Sequence, residues 1–289
     1  MDYHSDRFED ASLMVLKEGE IAALFPANKV DNVVHSHQGL TYGGLVLDHS
    51  SKLTMVIYIF QEILKYYEGL GIDSLQLKLL PSIYHDKPAD ELEYLCFKLN
   101  AERIRCDILS VVCPKHITLS RDRINGVKRG QKHQLAVKET DDFESFWNAI
   151  LIPNLKKKHN AYPVHSLREI ELLHRRFPTY IRQFNVYDRD RIVGGTTIFE
   201  SQRVAHSQYI SASDDKNTLG TLDILHHYLF TEVFNDKPFF DFGISNEDQG
   251  QHINEGLLYW KEGFSARSIA HNFYQIQTKD HILLNDVML

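Results

Sequence analysis

The chain is short of the features that mark export, membranes, metals or nucleic acid. Its three cysteines, Cys96, Cys106 and Cys113, are odd in number and lack a Cys-x-x-Cys spacing, so neither a disulfide framework nor a zinc site is signalled and buried, reduced thiols are expected. No apolar run approaches the roughly 18 to 20 residues that span a bilayer. The N-terminus holds Asp2, Asp6, Glu9 and Asp10 where an export signal would need a basic and then an apolar stretch, and a cytoplasmic protein is expected. Basic charge is scarce too: 32 Lys and Arg stand against 39 Asp and Glu, a formal charge of -7. Non-specific nucleic-acid affinity comes mainly from phosphate neutralisation, so this balance argues against a general nucleic-acid binder and leaves DNA no role.

What is present is ordinary for a soluble globular protein: 43% apolar and 25% charged residues over 289 positions, enough for one large or two ordinary domains. Residues 13–16 and 21–25 read as a hairpin ended by Pro26. An extended region follows over 33–47, with His35 and His37 two apart, which an unbroken strand would place on one face. No third ligand lies near them, so no metal is expected. Within the same run Tyr42 precedes Gly43-Gly44, a pair that marks either a plain turn or a close backbone approach. Apolar residues at three- and four-residue spacings predict a helix over 51–68, then a strand over 74–80, a helix over 90–99 and a strand over 105–112. Tyr84 and His85 fall in the loop after the 74–80 strand. Ligands gather at that end of strands in α/β proteins, which makes Tyr84 and His85 candidates for binding substrate, with ordinary loop packing the alternative; Tyr42, beside the glycine pair, is a further candidate.

Residues 115–133 are the basic part of an acidic chain: Lys115, Arg121, Arg123, Lys128, Arg129 and Lys132 face Asp122 alone. Such a segment is either a solvated connection or an attraction for the phosphates of a nucleotide-linked ligand. Beyond it come a strand over 134–139, a helix capped by Asp141 and interrupted at Pro153, and a helix opened by the capping box Ser166 to Glu169. Three strands follow over 180–187, 191–200 and 204–212. Strict alternation on the last places Ala205, Ser207, Tyr209 and Ser211 on one face; His206 could act as a base and Tyr209 as an acid, or each could be a hydrogen-bonded structural residue. The loop 213–221 leads into a helix. Lys216, Asn217, Leu219, Gly220 and Thr221 there are candidates for holding a pyrophosphate on free backbone N–H groups, although Asp214 and Asp215 oppose an anion.

The densest polar stretch runs over 239–267. A short strand carrying Asp241 delivers Ser245, Asn246, Glu247, Asp248, Asn254, Glu255 and Lys261 to its end, with Trp260 beside Lys261. A solvated loop followed by a capped helix would account for part of this.

The order of the second half, with the stretch Gly256-Leu-Leu-Tyr-Trp-Lys-Glu-Gly-Phe264, resembles the GNAT acyltransferases and, within them, the FemABX-like branch, whose motif is Gly-Leu-x-x-Phe-Lys-x-Gly-Phe. The resemblance implies an α/β (α+β) fold of two tandem GNAT-like modules, with mixed, mostly antiparallel sheets flanked by helices: a reduced module over 1–114, a basic connection over 115–133 and a second module over 134–289. It implies amide-forming acyl transfer in a cleft between the modules. Lys261 would lie near the reacting carbonyl, Glu247, Asp241 and His206 would be the base candidates, and Tyr209, Ser245, Asn246 and Trp260 would join the substrate site. The donor would be acetyl-CoA or another acyl-CoA, or an aminoacyl-tRNA. Asn217 and Leu222 depart from the coenzyme A pattern, and no inserted helical hairpin of the tRNA-using members is visible, so tRNA is the less favoured donor.

The expected function is therefore N-acylation of an amino group on a cell-envelope or polysaccharide precursor, such as a nucleotide-linked amino sugar, without a metal. The alternative is a non-catalytic protein that keeps the scaffold to hold a carbohydrate or a partner. Lys261→Ala is expected to lower turnover with the melting temperature nearly unchanged.

Overall fold

The structure is a computed structural model and describes residues 6–288, apart from the side chain of His159. The chain forms two compact units. One comprises Met1–Asp107, Asp248–Gly250 and Ala270–Leu289, the other Ile108–Glu247 and Gln251–Ile269. The division thus falls at 107 rather than 114, and the last twenty residues join the first unit because Phe273 to Gln277 pair antiparallel with Ser74 to Lys78.

In the first unit the strand Ser74–Lys78 also pairs in parallel with Val33–His35, and the hairpin Leu13–Lys17 with Glu20–Phe25 is extended by Val46–Leu47. The helix Leu53–Gly69 buries Val56, Phe60, Ile63, Leu64 and Tyr67 in a core with Phe25, Leu75 and Ile276, as its spacing predicts. The two early histidines do not share a strand face. The strand ends at His35, whereas His37 is buried with φ of 62° and its Nδ1 accepts from the Gly39 N–H at 3.1 Å. At Gly43 the chain makes a close backbone approach: a Cβ would stand 2.0 Å from the Ser36 carbonyl oxygen.

In the second unit the strands Ile181–Asp188, Arg191–Glu200 and Val204–Ala212 form an antiparallel meander, edged by Ala136–Thr140. Two helical layers pack on it. One side carries Phe143–Phe146 running through a π turn at Trp147–Leu151 into Ile152–His159, with the capping-box helix Leu167–Arg176. The interruption expected at Pro153 takes the form of that π turn, which accommodates the missing proline N–H without ending the helix. Asp142, not Asp141, caps this helix, accepting from the Ser145 N–H at 2.9 Å; Asp141 instead lies 3.1 Å from His174 Nε2. The other side carries Thr221–Tyr228, continued by a π turn at Leu229–Val233.

The basic segment is not a loose connection. Arg121–Lys132 is a helix with Ser120 at its N-cap, and it lies directly on the start of Thr221–Tyr228: a Cβ at Gly126 would fall 1.7 Å from Asp223 Oδ2, and one at Gly130 2.7 Å from Ile224 Cβ. Gly126 and Gly130 are what lets it approach. Arg123 Nη1 donates to Asp223 at 2.7 Å, and Arg129 Nη2 lies 3.8 Å from the same carboxylate. Arg123 is thus committed to a buried ion pair, with Arg129 at its edge.

Candidate functional site

The site begins where two strands part. Val204–Ala212 and Phe239–Ile244 run parallel, but their registered pairs are only Val204 with Phe239, Ala205 with Phe240 and His206 with Asp241. At the last pair His206 Nδ1 lies 3.0 Å from Asp241 Oδ2, while Asp241 Oδ1 accepts from the Gly243 N–H at 2.7 Å. Gly243 has φ of 73°, a left-handed conformation that favours glycine and turns the strand end away. The meander strand also breaks its alternation here. Its register shifts so that Thr197 faces Tyr209 while Ile198 faces Ser207, leaving Gln208 as the extra residue. Ala205 and Ile210 therefore share the face packed with Leu222 and Leu225, while Tyr209 packs with Trp147 and Ile150. Strict alternation had put Ala205 with Tyr209; a bulge reverses the parity beyond it.

Past the parting point lies a cavity of about 520 Å³, lined by Ile210, Ser211 and Ala212, by Lys216 and Asn217, and by Glu247 and Trp260, with Asn154 and Lys158 from the π-turn helix and Arg123 and Asp223 from the ion pair. The volume suits a small organic ligand. Asn154 Nδ2 donates to Ser211 Oγ and to the Ala212 carbonyl, both at 2.8 Å, which fixes the wall. Of the charged groups, Arg123 is held by Asp223, and Glu247 accepts from Asn254 Nδ2 at 2.7 Å. Lys158 and Lys216 are the cations left. They are near enough for Lys158 to help lower the Lys216 pKa, after burial as the first cause and with Asp214 opposing, so the two cations together outnumber the one nearby carboxylate and favour an anion.

The structure sorts the residues expected to hold a pyrophosphate. Lys216 and Asn217 line the cavity. Leu219 belongs to the core, Thr221 is fully buried, and Gly220, with φ of 74°, packs so closely that a Cβ would stand 2.1 Å from the Gly126 carbonyl oxygen. These three serve packing. The helix start also carries its own anion: Asp223, in the first turn, whose pKa is raised by burial against the opposing pull of Arg123 and of the Trp260 side chain. A helix N-terminus favours one negative group, and here a side chain already fills that role. The residues present therefore do not fit the pyrophosphate of coenzyme A at this turn.

Lys261 is 2% exposed and is not among the cavity-lining residues. Its Nζ donates to the carbonyl oxygens of Gly243 at 3.1 Å and Ile244 at 2.5 Å, tying the helix Glu255–Glu262 to the strand end. Burial pushes its pKa down to about 8, with Asp241 opposing. Lys261, Asp241 and His206 thus form one buried polar line at the parting point, while Glu247 is the expected base that reaches the cavity. Ser245 and Asn246 are buried and bonded within the fold, Ser245 Oγ to Ser110 Oγ at 2.7 Å and Asn246 Oδ1 to the Ile108 N–H at 2.8 Å. Tyr209 is buried with its hydroxyl 2.8 Å from His165 Nδ1, and burial pushes its pKa up to about 12. Each of these three is spent on structure. Trp260 lines the cavity and joins an aromatic group with His226, Phe242 and Phe264.

Tyr42, Tyr84 and His85 lie elsewhere, in the first unit, where Tyr84 and His85 line a separate cavity of about 750 Å³ and the Tyr42 and Tyr84 hydroxyls stand 2.9 Å apart. Sequence reasoning missed Asn154, Lys158 and Asp223. The lysine run at 156–158 was the one local signal for Lys158; nothing local marks Asp223 as the partner of an arginine one hundred positions earlier. Among the described residues no cluster of metal-ligating side chains occurs, and no helix is long and apolar enough to cross a membrane.

Comparison of the sequence with family models and with curated proteins gives no match. Among solved structures the chain is similar to FemX, a tandem GNAT fold, with a TM-score of 0.67 at 10% identity over 96% of this chain and 90% of that one. It is similar to the C-terminal DUF2156 domain of a chain assigned as a lysylphosphatidylglycerol synthetase from Agrobacterium fabrum, at 0.64 and 11% identity, covering 95% and 86%. It is also similar to L-PGS from Bacillus licheniformis, at 0.63 and 12% identity, covering 92% and 83%. These likenesses establish the fold: a tandem GNAT-like arrangement over almost the whole chain, as the element order and the 256–264 stretch imply.

Proposed function

We propose that the protein is an acyltransferase that forms an amide on an amine acceptor, taking the acyl group from a phosphate-bearing carrier held in the cavity of the second unit. The observation that carries this reading is the parting of the parallel strands at His206 and Asp241, beyond which lies a cavity bordered by Lys158 and Lys216 and by the Glu247 carboxylate. Lys158 and Lys216 would meet a carrier phosphate through side chains, since the adjoining helix turn holds Asp223. Ionic contacts of this kind position an anion without demanding one carrier. In the reaction the amine nitrogen attacks the acyl carbon, the C–N bond forms, the bond to the carrier breaks, and Glu247 takes the proton the amine gives up. Asn254 fixes the Glu247 carboxylate at 2.7 Å for that role. Lys261 would act from behind, holding the strand end that forms the site.

The likeness to FemX and to the lysylphosphatidylglycerol synthetase domain supports an acceptor among cell-envelope precursors, of which an amino sugar or a peptide amine has the required nucleophile. The test offers purified protein acetyl-CoA and, separately, aminoacyl-tRNA across a panel of amine acceptors. Amide product with either carrier, reduced in Glu247→Gln with a changed pH profile, is the expected result. Absence of transfer from both carriers overturns the reading, and tight glycan binding without turnover would replace it with a binding protein.

A further inference from the structure

The cavity of the second unit has two unlike ends, because a helix and a strand run side by side through its wall. Trp147 meets Tyr209 edge-on, with ring centroids 5.0 Å apart. Further along both elements Asn154 donates to Ser211 and to the Ala212 carbonyl, and beyond them Lys157 pairs with Asp214 at 2.8 Å. The π-turn helix and the strand Val204–Ala212 thus advance in the same direction, and each delivers a cation to the cavity past that run, Lys158 from the one and Lys216 from the other.

Behind this cationic end the wall is apolar. Leu155 precedes Lys158 by three positions on the same helix face, Ile210 precedes Lys216 along the strand, and Leu222, Leu257 and Trp260 complete the wall. Each has surface left for a ligand: Leu257 is 38% exposed and the other four are half-buried. The polar groups beside them are engaged. The Asn154 amide nitrogen is spent on the strand, Asp223 on Arg123, and Glu247, held by Asn254, is the carboxylate that takes the amine proton.

This division constrains the group that sits against the apolar wall. An ammonium there would need a carboxylate, and the lining offers none besides Asp223 and Glu247; a charge taken out of water without a partner is strongly disfavoured. A second anionic group would compete with the carrier phosphate for the two lysines. Acetyl would leave most of the wall facing water, whereas each further methylene buried against it strengthens binding roughly fourfold. We infer that the group transferred is an uncharged aliphatic acyl group longer than acetyl, seated against Leu155, Ile210, Leu222, Leu257 and Trp260 while the carrier phosphate meets Lys158 and Lys216. The inference rests on acyl transfer at this cavity. Its bonds are those of that transfer: the acyl carbon leaves the carrier for the amine nitrogen, and the aliphatic chain passes over unchanged.

Two measurements on the full chain test it. The first compares acyl groups on a fixed carrier, isovaleryl-CoA against acetyl-CoA and leucyl-tRNA against glycyl- and lysyl-tRNA, with the same amine acceptor. Isovaleryl is expected to lead acetyl in kcat/KM by about fiftyfold, three buried carbons at roughly fourfold each, and leucyl to lead both of its competitors. The second needs no carrier. Butyl phosphate and methyl phosphate differ by the same three carbons, so NMR titration should show a similar ratio of affinities. Leu155→Ala and Leu257→Ala should each shrink that ratio severalfold and leave methyl phosphate binding unchanged, while Lys216→Ala weakens both phosphates alike. Leu257 is the more exposed of the two, so its variant remains informative if Leu155→Ala melts at a lower temperature. Transfer that runs as well from the acetyl or the lysyl donor overturns the inference and leaves acyl transfer standing; equal binding of the two phosphates also overturns it. No transfer from any donor, with the butyl preference intact, removes the acyl-transfer reading and with it the assignment of the chain to an acyl group, so the two failures are told apart.

Discussion

The two cavities differ in how their charges are settled. In the second unit the carboxylates are answered from within, Asp223 by Arg123 and Glu247 by Asn254, and two lysines remain to meet an anion. In the first unit the cavity's lysine is directed to a backbone carbonyl, and the other charged side chains of the lining are carboxylates. Net charge, at -7 for the chain, predicts neither; what counts is which charges the fold has already neutralised.

The contrast breaks most severely at Asp223. Asp223→Ala leaves the Arg123 guanidinium, whose side chain is 13% exposed, without its partner, and removing one member of a buried pair costs about 3 to 5 kcal/mol. Chemical denaturation should show that loss, and double substitution of Arg123 and Asp223 by apolar residues should recover much of it. Lys261→Ala comes next. It frees the carbonyls of Gly243 and Ile244 and opens a void, so a loss of about 2 to 4 kcal/mol is expected by thermal melting together with reduced transfer. The structure thereby revises the expectation of an unchanged melting temperature. Lys261→Met, which keeps the packing, separates the two effects: retained stability with lost transfer would point to a direct role for the ammonium.

Acid sharpens the comparison, because each unit buries a histidine whose pKa is pushed well down. His226 and His271 have pKa values pushed down to about 4, by burial first in each case. The unfolded chain binds protons near 6.5 and the folded one does not, so stability is full above that value and is lost as pH falls from about 6.5 towards 4. Each group contributes a slope of up to about 1.4 kcal/mol per pH unit. Denaturation midpoints at pH 7 and pH 5 should show the loss, and His226→Phe should flatten it. The smallest effect belongs to the cavity lysines: Lys158→Ala or Lys216→Ala should weaken a phosphate-bearing donor about fivefold, near 1 kcal/mol, a difference that added salt should shrink.

Much of the fold was legible because it is written in local periodicity. The helix Leu53–Gly69, the meander and the capping box all depend on residues a few positions apart. Of the candidate site residues, Trp260, Glu247 and Lys216 line the second unit's cavity, at the strand end and helix start where the sequence placed them. Ser245, Asn246 and Tyr209 were misjudged because a polar side chain at a strand end looks the same in sequence whether its partner is a ligand or, as here, Ser110, the Ile108 N–H or His165.

The sequence by itself determined most of the elements and their order, since these follow from the spacing of apolar residues, caps and turn formers along the chain, and the tandem architecture was implied by the resemblance of that order and of residues 256–264 to a known family. Only the tertiary structure decided that the glycines of 121–132 admit Asp223 and Ile224, that Gly220 serves packing, and that a bulge at Gln208 turns Tyr209 away from the face of Ala205. It alone brought Arg123 to Asp223 and left His271 Nε2 without a partner among the described residues. Neutralisation is a property of pairs distant in sequence, and one chain read alone carries no signal of which distant residues will meet.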